Sequence, residues 1–479
     1  MKPRAIPTPL RIPLHVLLPR SLAWLALVAV SGAMPAWAHA ADPEASKLVL
    51  PVRQDRLQNG MQVILHEDHR TPIVAVDVWY HVGSKDEEPG REGFAHLFEH
   101  LMFQGSKHVP EDTYFRYLER VGASNVNGTT DTDRTNYFET VPKNRLELAL
   151  WLESDRMGFL LDHVDEQTFR GQRDVVKNER RQNYENAPYG LVGQYVEEAL
   201  YPAAHPYHHL TIGSPEDLDR ATLEDVRRFF RTWYVPNNAT IVVAGDIDPG
   251  DAGKLVEKYF GPIPGAPVPS RPEAPHAALS GEVRLEIEAG VELPRVVVAW
   301  PTPPFFAAGD AELDLLARTL AAGKTSRLFK RLVYDDQIAQ DVSASQGSRQ
   351  LGSEFEIAAT AKPGHTPEEL LAAIDSELAK VRDAGIADAE LDRSRAAFLS
   401  HEAYNLERVG ARADTIETYA HYAGDPGYLP RDIARYEEAT AAGVREAARG
   451  FLPPDKRVVA LVRAAKGAPL AGRLVRRAP

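Results

Sequence analysis

Two stretches of this chain lie about 218 residues apart and carry the same succession of features. Ala221-Thr222, Val226-Arg227 and Val235-Pro236, leading into the apolar run Thr240–Ala244, can be laid on Ala439-Thr440, Val444-Arg445 and Pro453-Pro454, leading into Val458–Val462. The same shift carries Gly105 onto Gly323, just before Lys324-Thr325-Ser326. A chain built this way folds as two copies of one unit. Each copy is expected to be an α+β lobe, with helices covering one face of a largely antiparallel sheet. The strands predicted first are Gln62–Leu65, Ile73–His81, Ala239–Gly245, Arg295–Trp300, Phe355–Thr360 and Arg457–Arg463. Pro262, Pro264, Pro267, Pro269, Pro272 and Pro275 crowd a stretch rich in Gly and Ala. It reads as a linker over residues 262–282, between a first lobe at 41–261 and a second at 283–479.

Chemistry concentrates in the first copy, at Gly93-Phe94-Ala95-His96-Leu97-Phe98-Glu99-His100-Leu101-Met102. On a helix, residues four apart stack on one side and the residue three along lies beside them. His96 and His100 can therefore offer two imidazole nitrogens to one metal ion, with the Glu99 carboxylate next to them. A lone histidine in an amphipathic helix is usually a packing or surface residue. Here Leu97, Phe98 and Leu101 flank the pair, and polar groups so close to an apolar face need a reason to be there. Zinc supplies one, since two imidazoles and a carboxylate leave a fourth position for water, whose proton a nearby carboxylate can take.

The order His-x-x-Glu-His inverts that of the commoner zinc proteases. Together with the preceding Gly and Ala and the following apolar pair and Phe103, it resembles the signature of the pitrilysin-type metallopeptidases, the inverzincins. The resemblance implies one zinc ion per chain, Glu99 as general base, and a third ligand on a later helix. The segment Val175-Val176-Lys177-Asn178-Glu179 matches that pattern at Glu179, with Glu185 as fallback. Several relatives carry a further glutamate seven residues before this ligand; here that position is Gln172, which removes a supporting carboxylate. Gly122–Thr130, followed by Thr135–Val141, is similar to the turn and edge strand that hold substrate backbone in the family, with Asn127, Gly128 and Thr129 in the substrate-facing positions. On composition alone such a Gly/Asn/Thr cluster is a turn. The family fold implied is a clam-shell of two homologous lobes.

Shifted by the repeat, His96, Glu99 and His100 fall on Asp314, Ala317 and Arg318, and Glu179 falls on Ala397. The second lobe is therefore expected to lack the metal site. Many family members also place an Arg and a Tyr, spaced by six intervening residues, on a strand of the companion lobe. The strand expected to match, Gly352–Lys362, has no arginine; Arg327 and Tyr334 are suitably spaced but read as helical. The resemblance thus implies a dimer, including a heterodimer with a zinc-free homologous subunit that supplies the pair. A different class of function, a binding or assembly subunit without chemistry, has no physical need for Glu99 beside two histidines.

Lys2, Arg4, Arg11 and Arg20 precede the apolar run Leu22–Val30, and small-residue patterns end at Ala38 and Ala40. This reads as a signal peptide over residues 1–40, cleaved after Ala38 or Ala40, and places the protein in the periplasm. The run is too short to span a bilayer, and no longer one follows. With no cysteine in the chain, neither disulfides nor a lipid-bearing cysteine contribute. A net charge of -13, more negative once the basic leader is gone, argues against nucleic acid or anionic membrane as partner, and the family resemblance implies peptides as substrate.

Overall fold

The computed structural model describes residues 48–271, 274, 275 and 277–478; the leader and Pro272 lie outside the described residues. Among the described residues, no helix is long and apolar enough to cross a membrane. The first sheet contains β1 (Arg53–Arg56), β2 (Gln62–Glu67), β3 (Ile73–Tyr80), β4 (Ser124–Thr130), β5 (Thr135–Pro142) and β6 (Ala239–Gly245), in the order β1-β2-β6-β3-β5-β4. The second contains β7 (Val283–Ala289), β8 (Arg295–Thr302), β9 (Ala339–Gly347), β10 (Ser353–Ala361), β11 (Val458–Ala464) and β12 (Arg473–Ala478), in the order β12-β7-β11-β8-β10-β9. Each sheet has one parallel pair, β2 with β6 and β7 with β11, and is otherwise antiparallel.

Five of the six strands correspond in order between the two sheets, so the repeat in the sequence is a repeat of fold. Two details depart from a constant shift. Trp79 pairs with Thr240 as Ala299 pairs with Val458, so β8 sits two residues off the alignment that relates β6 to β11. The outer edge beside β2 is filled by β1, from upstream, whereas its counterpart beside β7 is β12, from the far end of the chain.

Helices cover one face of each sheet, as expected, and the opposite faces are covered too. β6 is buried at every position, the continuous apolar pattern of a strand covered on both sides. The second cover comes from the other lobe. The helix Val192–Leu200 lays Val192, Val196 and Leu200 against Ile287, Val297, Ala460 and Val462 of the second sheet. Reciprocally, the helix Val409–Thr418 lays Val409, Ala413 and Ile416 on Ile64, Ala75 and Val242 of the first. Each buried aliphatic side chain contributes about 1.5–3 kcal/mol. The exchanged helices thus bind the two lobes into a single compact unit.

Candidate metal centre

The helix Phe94–Leu101 buries Phe94, Ala95, Leu97, Phe98 and Leu101, which leaves His96, Glu99 and His100 on its more open side. Its start is fixed by two devices. Gly93 takes a left-handed conformation, φ 93°, and the buried Glu87 carboxylate accepts the Gly93 and Ala95 amides at 2.9 and 2.8 Å. Those amides begin a helix and have no carbonyl partner within it. Gly213 packs so closely that a Cβ there would lie 2.3 Å from the Gly93 backbone.

A second helix, Glu166–Arg180, is capped by Asp165, whose side chain accepts the Gln167 and Thr168 amides. It packs on the first through Phe169 and Val176 and continues into a wider π-turn over Arg181–Glu185. Glu179, in its last turn, brings Oε2 to 3.3 Å from His100 Nε2 and 3.7 Å from His96 Nε2. The two imidazoles stand edge to face, 4.8 Å between centroids. One ligand atom from each of the three residues lies within 4.8 Å of the others, the one such group of His, Asp or Glu among the described residues.

This donor set suits zinc: two nitrogens and one oxygen converge on a partly open point. Burial, reinforced by His100, pushes the His96 imidazole down to about 4, so it is neutral and free to donate its lone pair. His96 Nδ1 has no hydrogen-bond partner among the described residues, so packing orients the ring. Glu185 lies 3.4 Å from Arg180 and stands outside the cluster. Gln172, two turns before Glu179, is half-buried on the same helix.

Glu99 lies against β4. Thr130 donates its hydroxyl to Glu99 Oε2 at 2.6 Å. Burial pushes the Glu99 carboxyl above its usual range, and the Thr130 hydrogen bond opposes that rise. Gly128 allows the approach, since a Cβ there would meet Tyr137, Glu99 and Phe103 at 3.0, 3.1 and 3.1 Å.

The segment around Asn127 is strand, and its turn-like composition marks a bulge. Asn125 adopts φ 53°, and the β4–β5 register shifts between Ser124 and Asn127. β4 ends the sheet and Asn127 is exposed on it, while the Thr129 hydroxyl is tied to Asn136 at 2.6 Å. Two further residues serve this arrangement, Thr130 and Glu87. Thr130 had a signal in the Gly-Thr-Thr run; Glu87 sits in an acidic loop that offers none.

A profile described as Insulinase (Peptidase family M16) matches residues 62–211, and one described as Peptidase M16 inactive domain matches residues 220–398. The chain is 31% identical over 377 residues to the zinc protease PqqE of Helicobacter pylori, a match covering 76% of this chain and 82% of that protein. A solved protease from Helicobacter pylori superposes with a TM-score of 0.81 at 27% identity, over 87% of this chain and 100% of that one. The periplasmic protease PqqL from Escherichia coli superposes with a TM-score of 0.72 at 18% identity, over 87% of this chain and 48% of PqqL, a likeness of fold.

Proposed function

This chain belongs to peptidase family M16, the insulinase family, and we propose that it hydrolyses peptide bonds in extended peptides, with His96, His100 and Glu179 holding one zinc ion and Glu99 as general base. The observation that carries this reading is the convergence of three ligand atoms within 4.8 Å beside a carboxylate that is not one of them. Bound there, zinc supplies Lewis acidity for an attacking water and a scissile carbonyl. Glu99 takes the proton of that water and returns it to the leaving amine. Its Oε2 is held by Thr130, which leaves Oε1 for the transfer. A substrate in extended form adds along the open edge of β4, past Asn127, Gly128 and Thr129, where main-chain hydrogen bonds favour unfolded peptides over folded proteins.

The second-lobe strand β10, Ser353–Ala361, has no arginine to offer a substrate carbonyl, so the reading includes a partner. The chain acts as a dimer, homomeric or with a zinc-free homologue that brings an Arg and a Tyr to the substrate carbonyl. Its place is the periplasm, as for the structural relative PqqL, reached through the leader at residues 1–40. Elemental analysis of the purified chain and cleavage of a quenched fluorescent peptide library, before and after chelation, test the reading. One zinc per chain, with cleavage lost on chelation and restored by zinc, supports it. Absence of both zinc and cleavage leaves the scaffold function instead, and cleavage indifferent to chelator overturns the metal mechanism.

A further inference from the structure

The hairpin that carries Thr130 is held by both lobes. β4 and β5 are joined by Asp131–Arg134, a turn in which Asp131 Oδ1 accepts the amides of Asp133 and Arg134 at 2.7 and 2.9 Å. Asp133 is 1% exposed, and its two carboxylate oxygens serve different lobes. Oδ1 accepts the Tyr207 hydroxyl, and Oδ2 accepts the Gln350 amide of the second lobe at 2.9 Å. The Tyr207 oxygen in turn accepts the Leu351 amide at 3.0 Å, and Lys85 Nζ donates to the Asp133 carbonyl at 2.8 Å. Gln350 and Leu351 belong to the β9–β10 turn, which is the second-lobe equivalent of Asp131–Arg134. The two matching turns therefore meet, joined by one buried carboxylate three residues from the hydroxyl that holds Glu99.

We infer that Asp133 is a positioning residue for the general base: by pinning the β4–β5 turn to the second lobe it fixes the Thr130 hydroxyl and so the direction of the Glu99 carboxylate. This is what the metal-free lobe contributes to the chemistry of the other. The inference rests on the proposed role of Glu99 as base. A hydrogen bond of 2.6 Å tolerates little displacement of its donor, and small misplacements of a catalytic group cost up to about 100-fold in rate. Asp133 touches none of the zinc ligands, so its removal leaves metal binding intact.

The test compares wild type, Asp133→Ala, the milder Tyr207→Phe, Thr130→Val, and Asp133→Ala with Thr130→Val combined, all as full chains loaded with zinc. Asp133→Ala is expected to lower kcat about 10-fold with KM and zinc content unchanged, and Tyr207→Phe about threefold. On the Thr130→Val background the Asp133 change is expected to add less than about twofold, since both act through one contact. Amide hydrogen exchange over residues 124–137 is expected to quicken about 10-fold in Asp133→Ala and to stay unchanged in the sheet core. Wild-type kcat in Asp133→Ala, full additivity with Thr130→Val, or unchanged exchange in the hairpin overturns the inference. Quickened exchange in a chain whose wild type cleaves nothing overturns the peptidase reading and leaves the pinning of the hairpin standing.

Discussion

The helices Phe94–Leu101 and Asp310–Ala321 hold the same place in two lobes of one topology, and they treat their polar positions in opposite ways. In the second lobe Asp314 and Arg318 face each other across one helical turn at 3.4 Å, with Ala317 buried between them. Arg318 also lies over the Phe398 ring, on the helix that corresponds to the one bearing Glu179. Those charges are satisfied within the lobe. In the first lobe His96, His100 and Glu179 converge with no cationic side chain among them, and His96 Nδ1 is left without a partner among the described residues. Buried polar groups are nearly always paired. On the proposed reading, the polar groups that are paired in one copy serve a metal ion in the other.

Removing one member of each set puts this contrast at greatest risk. His100→Ala should abolish zinc binding and all turnover, whereas Arg318→Ala should leave both within about twofold of wild type, as measured by elemental analysis and peptide cleavage. Next in size, Glu99→Gln should keep its zinc and lose about 10²–10⁴-fold in kcat. Retained activity would remove Glu99 from the role of base. Gly128→Ala should lower both stability, by about 1–3 kcal/mol, and turnover, because its Cβ must displace Glu99, Tyr137 or Phe103. Chemical denaturation would register the first effect and steady-state kinetics the second.

The smallest expected effect probes the exchanged helices. Glu417, on Val409–Thr418, is wholly buried and neither carboxylate oxygen makes a hydrogen bond of normal geometry. Burial, then Asp77 and Asp414, raise its carboxyl well above the ordinary range, with the Val242 amide opposing. The folded chain keeps a proton there that the unfolded chain gives up near pH ~4.3. Stability is therefore greatest below that pH and declines as pH rises toward the folded value. Glu417→Gln should raise Tm at about pH 8 and leave it unchanged at about pH 4; an equal shift at both would exclude ionisation as the cause.

Much of this arrangement was legible in the sequence, for identifiable reasons. Helical spacing places His96, Glu99 and His100 together without any tertiary information. Ala239–Gly245 coincides with β6, and Arg295–Trp300 lies within β8, because β-branched runs bounded by turns read plainly. β4 was harder: Ser124–Thr130 is rich in Asn, Gly and Thr, and the bulge at Asn125 breaks its alternation. The exposed edge strands β1 and β12 carry Arg53, Arg56, Arg473 and Arg476 in place of an apolar pattern, so nothing in periodicity marks them. The helix exchange was out of reach, because an amphipathic helix declares an apolar face and not whose sheet it covers. Glu87 and Asp133 act through backbone amides that close only in the folded chain.

The proposal that one lobe binds metal and the other none makes a countable difference, which calorimetric titration of zinc into the metal-free chain reads without recourse to activity. The expected result is one equivalent, lost in the His96→Ala and His100→Ala double variant and kept in the Asp314→Ala and Arg318→Ala pair. Two equivalents, none, or binding that survives loss of both histidines would contradict it.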